Sequence, residues 1–267
     1  MSVQTLYTAA TGMESLQTKL DVIANNLANV NTTGFKKGRA NFEDLFYRHY
    51  KYPGTQDQQQ NLTPTGISVG LGSRVQSIQT NFVQGAVQQT NNPFDVTIEG
   101  KGFFQVTDPS TGTQVYTRAG NFSVNAQQQL VLGSAQTGRL IEPSITIPQD
   151  ATSISISSDG RVLITQPGQT QQQQAGQLQL AMFINPEGLL KLGENLYSAT
   201  DASGTAQQGN PAQQGFGEIR QGALEASNVE PVQELIDLIT TQRSFELNSQ
   251  AIQAGDQILQ LISNLRR

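Results

Sequence analysis

Apolar residues recur every three or four positions at both ends of this chain and every two in its middle. That change of period limits the fold to two long helices bracketing a β-rich centre. In the first thirty residues Val3, Leu6, Ala10, Met13, Leu16, Leu20, Ile23, Leu27 and Val30 mark one helix face. Gly12 weakens that helix by about 1 kcal/mol relative to alanine, and Asn29, Asn31, Thr32, Thr33 and Gly34 end it. At the other end Pro231 suits a first helical position, with Glu230 before it and Glu234 in the first turns. Leu238, Phe245, Ile252 and Leu259 follow at intervals of seven, and Leu235 and Ile262 extend the line. Gln242, Ser249 and Asp256 sit where a second apolar position of each heptad would fall, so the helix is expected to pack on several neighbours with polar contacts mixed in. At 1.5 Å per residue the helices would span ~40 Å and ~52 Å. Stripes that long must cover each other or be covered by other subunits.

In the middle, Val96 and Ile98 alternate, Gly100-Lys101-Gly102 turns, and Phe103 to Val106 continues as strand. Ile154 and Ile156, Asp159-Gly160, then Val162 and Ile164 predict a hairpin closed by a type I′ turn. Val115 to Val124, Ile145 to Ile147 and Leu178 to Ile184 predict further strands. Pro53 to Thr65 and Gln166 to Gln177, with its run Gln171 to Gln174, lack a hydrophobic period and read as loops, as does Ala202 to Phe216. The fold class is α+β, with paired terminal amphipathic helices and a β-rich middle.

Composition removes several function classes. The 267 residues include no cysteine, so disulfides, thiolate metal sites and cysteine nucleophiles are excluded. The one histidine, His49, excludes a histidine cluster. A net charge of −5 argues against an electrostatic grip on nucleic acid or anionic lipid. No apolar run approaches the ~20 residues of a membrane span, and the start lacks the basic and apolar regions of a Sec-type signal. Residues 1–50 carry +1 and residues 225–267 carry −3, a weak bias towards pairing of the two ends. The 37 glutamines suggest either a surface that makes many neutral hydrogen bonds or simply a solvated one.

No catalytic set, cofactor motif or metal site emerges. His49 lies among Tyr47, Arg48, Tyr50 and Lys51 and reads as a surface or interface residue. Gly70-Leu71-Gly72 and Gly100-Lys101-Gly102 read as turns, since neither opens a helix after a strand. Glu43-Asp44 read as helical neighbours pointing apart. Lys36, Lys37 and Arg39 read as cations complementing a helix C-terminus. Asp159-Gly160 lacks the further acids of a calcium loop.

The stretch from Ala24 through Asn25-Asn26-Leu27-Ala28-Asn29-Val30-Asn31-Thr32-Thr33-Gly34-Phe35 to Lys36 resembles the N-terminal signature of bacterial flagellar rod and hook proteins. The resemblance continues at Phe42 to Tyr47, Pro64-Thr65-Gly66, Gln89 to Val96, Glu99 to Phe104, Tyr116-Thr117-Arg118, Leu192 to Tyr197, Gln221 to Val229 and Gln242 to Glu246. Within the family it is greatest to the distal-rod subunits. It implies a structural, non-enzymatic subunit that polymerises helically into a rigid drive shaft, transmits torque to the hook and lines the export channel. The implied divisions are 1–34, N-terminal helix of an inner domain; 35–75, connector; 76–222, β-rich outer domain; and 223–267, C-terminal helix of the inner domain. The implied partners are copies of itself, proximal rod proteins, the hook protein, P-ring and L-ring proteins as bushing, and the flagellar type III export apparatus, with no nucleic acid and no membrane insertion. The implied location is the basal body, from periplasm to outer membrane, reached without a cleaved signal peptide.

Leu6, Met13, Leu20, Leu27, Leu238, Phe245, Ile252 and Leu259 are the expected packing seam, and Asn25, Asn26, Asn29 and Asn31 the polar interface candidates. Left without partners the terminal helices are expected to be poorly ordered and to fold on assembly. Proximal rod and hook subunits are the alternatives within the family. A secreted β-rich enzyme acting on cell-wall glycan is the alternative of another class; it would need paired carboxylates about 5–9 Å apart in a cleft. Ala119-Gly120-Asn121 and Asn125 to Gln129 depart from the acidic and glycine residues usual in the family after Tyr-Thr-Arg.

Overall fold

A computed structural model describes residues 3–54, 56, 64–109, 111–133, 138–168 and 171–265. Most of the Pro53 to Thr65 tract lies outside them. The chain forms two compact units, 1–28 with 38–80 and 230–267, and 29–37 with 81–229.

The first unit holds α1 (Val3–Ala28), β1 (Gly38–Asp44), β2 (Tyr47–Lys51), β3 (Ile67–Gly70), β4 (Ser73–Thr80) and α2 (Pro231–Leu265). Pro231 takes the first helical position as its fixed φ favours, and the Glu234 amide donates to the Glu230 carbonyl at 3.0 Å. Strands β1 and β4 pair antiparallel, as do β2 and β3. This pairing replaces the helical reading of Glu43-Asp44. The two acids lie on a strand, where alternation still sends them to opposite faces: Glu43 pairs with Arg74, and Asp44 hydrogen-bonds Tyr47.

Helix α1 has two covered sides. One rests on the β1–β4 ribbon, where the Ser15 hydroxyl donates to the Ser73 carbonyl at 3.2 Å. Gly72, at φ +123°, lets the chain pass so close that a Cβ there would lie 2.1 Å from the Thr11 hydroxyl. The other side meets α2. Asn26 Nδ2 donates to Glu234 Oε2 at 3.2 Å, and a Cβ on Gly12 would sit 3.4 Å from Asn248 Nδ2. These contacts are fourteen residues apart on both helices, so the pair runs antiparallel in constant register. Gly12, a local weakness in the isolated helix, is thus a point of close approach.

The second unit is built on strands. In order they are β5 (Val87–Gln89), β6 (Val96–Glu99), β7 (Phe103–Thr107), β8 (Gln114–Thr117), β9 (Phe122–Val124), β10 (Leu130–Leu132), β11 (Arg139–Ile141) and β12 (Ser153–Ile156). There follow β13 (Arg161–Thr165), β14 (Gln173–Gln177), β15 (Leu180–Met182), β16 (Leu190–Gly193), β17 (Leu196–Ser198), β18 (Gln207–Gly209), β19 (Glu218–Gln221) and β20 (Ala223–Glu225). The largest sheet runs β16-β17-β8-β7-β11-β10-β9, with β15 bridging β7 and β18. Alternation along β7 turns the adjacent Phe103 and Phe104 to opposite faces. Phe104 meets Phe122 edge-on at 5.0 Å in a core with Val96, Ile98 and Leu180. Phe103 joins Phe183 and Tyr197 in a second cluster. Both faces of β7 are therefore covered.

Several local expectations change. The β12–β13 hairpin closes through Ser157 to Gly160, with Gly160 alone at positive φ (+81°) and its amide bonded to the Ser157 carbonyl. Asp159 stays out of the left-handed region, so the turn is not type I′ but a type I turn followed by a glycine. The predicted strand Val115 to Val124 breaks at Arg118–Asn121 into β8 and β9. Ile145 to Ile147 contributes one bridge, between Thr146 and Gln129. Gln173 to Gln177, read as loop, is β14, and Gln207 to Gly209 within the third polar stretch is β18. Backbone pairing to an apolar neighbour strand suffices to order both.

Candidate assembly surface

The seven-residue spacing on α2 places two lines against α1. Leu238, Phe245, Ile252 and Leu259 form one, and all four are half-buried. The second line falls one residue earlier than the heptad reading placed it. It runs through Glu234, Thr241, Asn248 and Gly255 rather than Gln242, Ser249 and Asp256. Glu234 and Thr241 are buried, and the Thr241 hydroxyl donates to the Asp237 carbonyl at 2.6 Å. A polar and small second line lets the helices approach closely and fixes their register through hydrogen bonds.

On α1, Leu6, Met13, Leu20 and Leu27 are likewise half-buried, and Ile23 is buried. Asn26 is buried and saturated: besides Glu234 it donates to the Gly38 carbonyl and accepts from the Gly38 amide, both at 2.9 Å. One side chain thus joins α1, β1 and α2. Asn29 is half-buried and accepts from Thr32, whereas Asn25 and Asn31 are exposed.

A different face of α2 carries Val232, Leu235, Ile236, Ile239, Leu247 and Leu261, all exposed. At 100° per residue these six fall within about 60° either side of Val232, and the α1-facing lines lie across the helix axis. A helix apolar on two opposite faces needs two partners, and the described residues of the chain supply one. Further exposed apolar side chains cluster in the same unit: Phe42, Phe46, Tyr50, Tyr52 and Ile67. His49 is exposed and stacks on Tyr52 at 5.1 Å.

In the second unit three charged residues are buried together. Lys36 Nζ lies 2.5 Å from Glu225 Oε1 and donates to the Val83 carbonyl at 2.9 Å. Arg118 Nε lies 3.2 Å from Glu225 Oε2, off the line of a hydrogen bond, while its other nitrogens donate to the carbonyls of Gly100 and Gly102. The Gly85 amide donates to Glu225 as well. Burial pushes the Lys36 ammonium and the Arg118 guanidinium below their usual ranges, and the Glu225 carboxylate opposes the shift in both. The reading of Lys36 as a cation complementing a helix C-terminus is therefore corrected: its side chain is fully buried against a carboxylate 189 residues away. No local pattern signals such a pair.

Tyr197 adjoins this cluster, and burial, then the Glu225 charge, pushes its phenol up to about 12. Between pH 10 and about 12 the unfolded chain releases this proton and the folded chain keeps it. Stability should therefore fall with rising pH there, by up to about 1.4 kcal/mol per unit. Denaturant titrations of Tyr197→Phe should lack that part of the alkaline loss, and the variant should lose its last phenolate step in ultraviolet absorbance.

Among the described residues, no group of three or more His, Cys, Asp or Glu is gathered to hold a metal ion, and no helix is long and apolar enough to cross a membrane. A helix pair with one apolar face covered and another open defines a structural subunit whose burial is completed by assembly.

Comparison with known proteins gives that class its family. Residues 6–36 match the family described as flagella basal body rod protein. Residues 97–164 match the flagellar hook protein FlgE/F/G D1 domain, and residues 220–265 the flagellar basal body rod FlgEFG protein C-terminal region. The flagellar basal-body rod protein FlgG of Caulobacter vibrioides is 46% identical over 265 residues, which cover 99% of this chain and 100% of that protein. FlgG of Borreliella burgdorferi is 42% identical, with 99% of each chain covered. The flagellar hook-basal body complex protein FlhP of Bacillus subtilis is 32% identical, with 99% of this chain and 100% of that protein covered. The chain belongs to the flagellar basal-body rod protein family. It is a structural subunit of the rod in the flagellar basal body, where it assembles with other flagellar proteins, and it is not an enzyme.

Proposed function

We propose that this chain builds the distal rod, as a helical homopolymer that forms a straight shaft, carries torque to the hook and surrounds the export channel. The observation that carries the reading is the open apolar stripe on α2 opposite its α1-facing side. An open helical polymer joins one patch of a subunit to a different patch of the next. Two non-equivalent apolar surfaces in one unit, the α2 stripe and the exposed side chains of the β1–β4 region, suit that need. Leu6, Met13, Leu20, Leu27, Leu238, Phe245, Ile252 and Leu259, each half-covered within the chain, would complete their burial against neighbouring subunits. Asn25 and Asn31, both exposed, are proposed as hydrogen-bonding groups between subunits, with Asn26 and Asn29 holding the helix end that presents them.

The neighbours of this shaft would be the proximal rod proteins at one end, the hook protein at the other, and the P-ring and L-ring proteins around it. Delivery would be by the flagellar type III export apparatus without a cleaved signal, to a position between periplasm and outer membrane. Electron microscopy of polymers grown from the purified chain tests the reading. Straight polymers are expected. Supercoiled ones would move the chain to the hook.

A further inference from the structure

We propose that a pocket beside β7 receives the Phe46 corner of a second copy of this chain. This rests on the polymer reading above and adds the pair of surfaces that meet.

The pocket, about 390 Å³, lies within the second unit. Phe82, Phe103, Phe183 and Met182 make its apolar wall, and Ile184, 80% exposed, stands at its rim. Gly100 and Gly102, at φ +113° and +139°, turn the chain sharply and place the exposed Lys101 at the lip. Arg118 forms part of the wall. It belongs to a buried cluster of two cations and one carboxylate, so the pocket carries positive charge. Its size is at the small end for ligand sites, suited to one aromatic side chain rather than a large cofactor.

The proposed occupant has complementary properties. Phe46, at 86% exposure, is the most exposed of the large hydrophobic side chains described. It is nevertheless held in place. The Leu71 amide donates to the Phe46 carbonyl at 3.1 Å, and the Leu45 amide to the Gly72 carbonyl at 2.9 Å. A fixed backbone with an uncovered ring costs little ordering entropy on docking. Asp44, two residues before it, is exposed and brings the negative charge that Lys101 would meet. Glu43 is already paired with Arg74. An aromatic anchor entering an apolar pocket, with a charged pair at its edge, is the usual pattern of an interface hot spot. Because the two patches differ, the contact is head-to-tail, the kind that extends as a helical filament wherever its rotation does not close a ring.

The absence of cysteine makes the test clean. Full-length Tyr47→Cys and Ile184→Cys chains, both keeping Phe46, are mixed, concentrated until light scattering reports polymer, and oxidised mildly, with Val124→Cys replacing Ile184→Cys as reference; Tyr47 is exposed and adjoins the anchor. Peptide mass should show the 47–184 disulfide at least tenfold more abundant than the 47–124 disulfide. Phe46→Ser should raise the polymerisation threshold about tenfold without shifting thermal unfolding. Polymer that forms with 47–184 no more abundant than 47–124, or with 47–47 dominant, overturns the docking and leaves the polymer reading intact. A chain that stays monomeric at every concentration overturns the polymer reading, and the docking with it.

Discussion

Glu225→Ala should destabilise the β-rich unit by about 3–5 kcal/mol, the range for breaking a buried ion pair by removing one partner. Glu225 is the only carboxylate paired with either Lys36 or Arg118 among the described residues. Its loss leaves two buried cations uncompensated and frees the Gly85 amide as well. Lys36→Met should cost less than half as much, because Arg118 then faces Glu225 one to one in a volume a methionine fills. Equilibrium unfolding in urea reads both variants. A Lys36→Met penalty equal to that of Glu225→Ala would show that the carboxylate is not the hub of the cluster.

The second large effect concerns assembly rather than folding. Ile236→Asp with Ile239→Asp places two charges in the exposed stripe of α2 and replaces no buried side chain. Exposed substitutions of this kind usually change stability by less than about 0.5 kcal/mol. In a packed interface each carboxylate must instead lose its water, at a cost of several kcal/mol. Sedimentation should show a monomer with unchanged unfolding and a polymerisation threshold raised at least about 100-fold, equivalent to roughly 2.7 kcal/mol. A polymer forming at the original threshold would exclude this stripe from the interface. Ile23→Asp, at a buried site between α1 and its supports, should unfold the first unit instead.

Both helices and the strands at Val96, Phe103 and Ile154 were legible because their apolar residues repeat at the period of the structure they form, and Gly160 marked the place of the hairpin turn but not its type. Other elements carry no such signal. β1 has the sequence GRANFED and presents mainly Ala40 and Phe42 as apolar groups, so its order comes from pairing with β4 and support from α1. β14 is glutamine and glycine with one alanine, and it is held by the register of β13. The second line of the helix seam escaped because Glu234, Thr241, Asn248 and Gly255 are polar or small, and a search for apolar residues passes over them. Lys36 and Glu225 are each unremarkable locally, since their pairing is a property of the closed fold. The seven-residue repeat from Leu238 to Leu259 is visible in the sequence, and its residues are half-buried, whereas the open stripe through Val232 and Ile239 needed the position of α1 to distinguish it from the covered side.

The bonds between residues 34–37 and 225–228 also bear on how the two ends of the chain find each other. Ala28 and Pro231 are separated by about 200 residues, so helix pairing from an open chain closes a very long loop. Within the β-rich unit Gly34 bonds Glu225, Lys36 pairs with Glu225, and the Lys37 amide donates to Asn228. Once these form, the free path from helix to helix falls to the eight residues leading to Lys36 and the six following Glu225. The entropy of closure drops by about 2 kcal/mol, because it scales with the logarithm of loop length. In a chain without cysteine this salt link serves as a cross-link, and it makes the distant pair α1 and α2 behave as a helical hairpin.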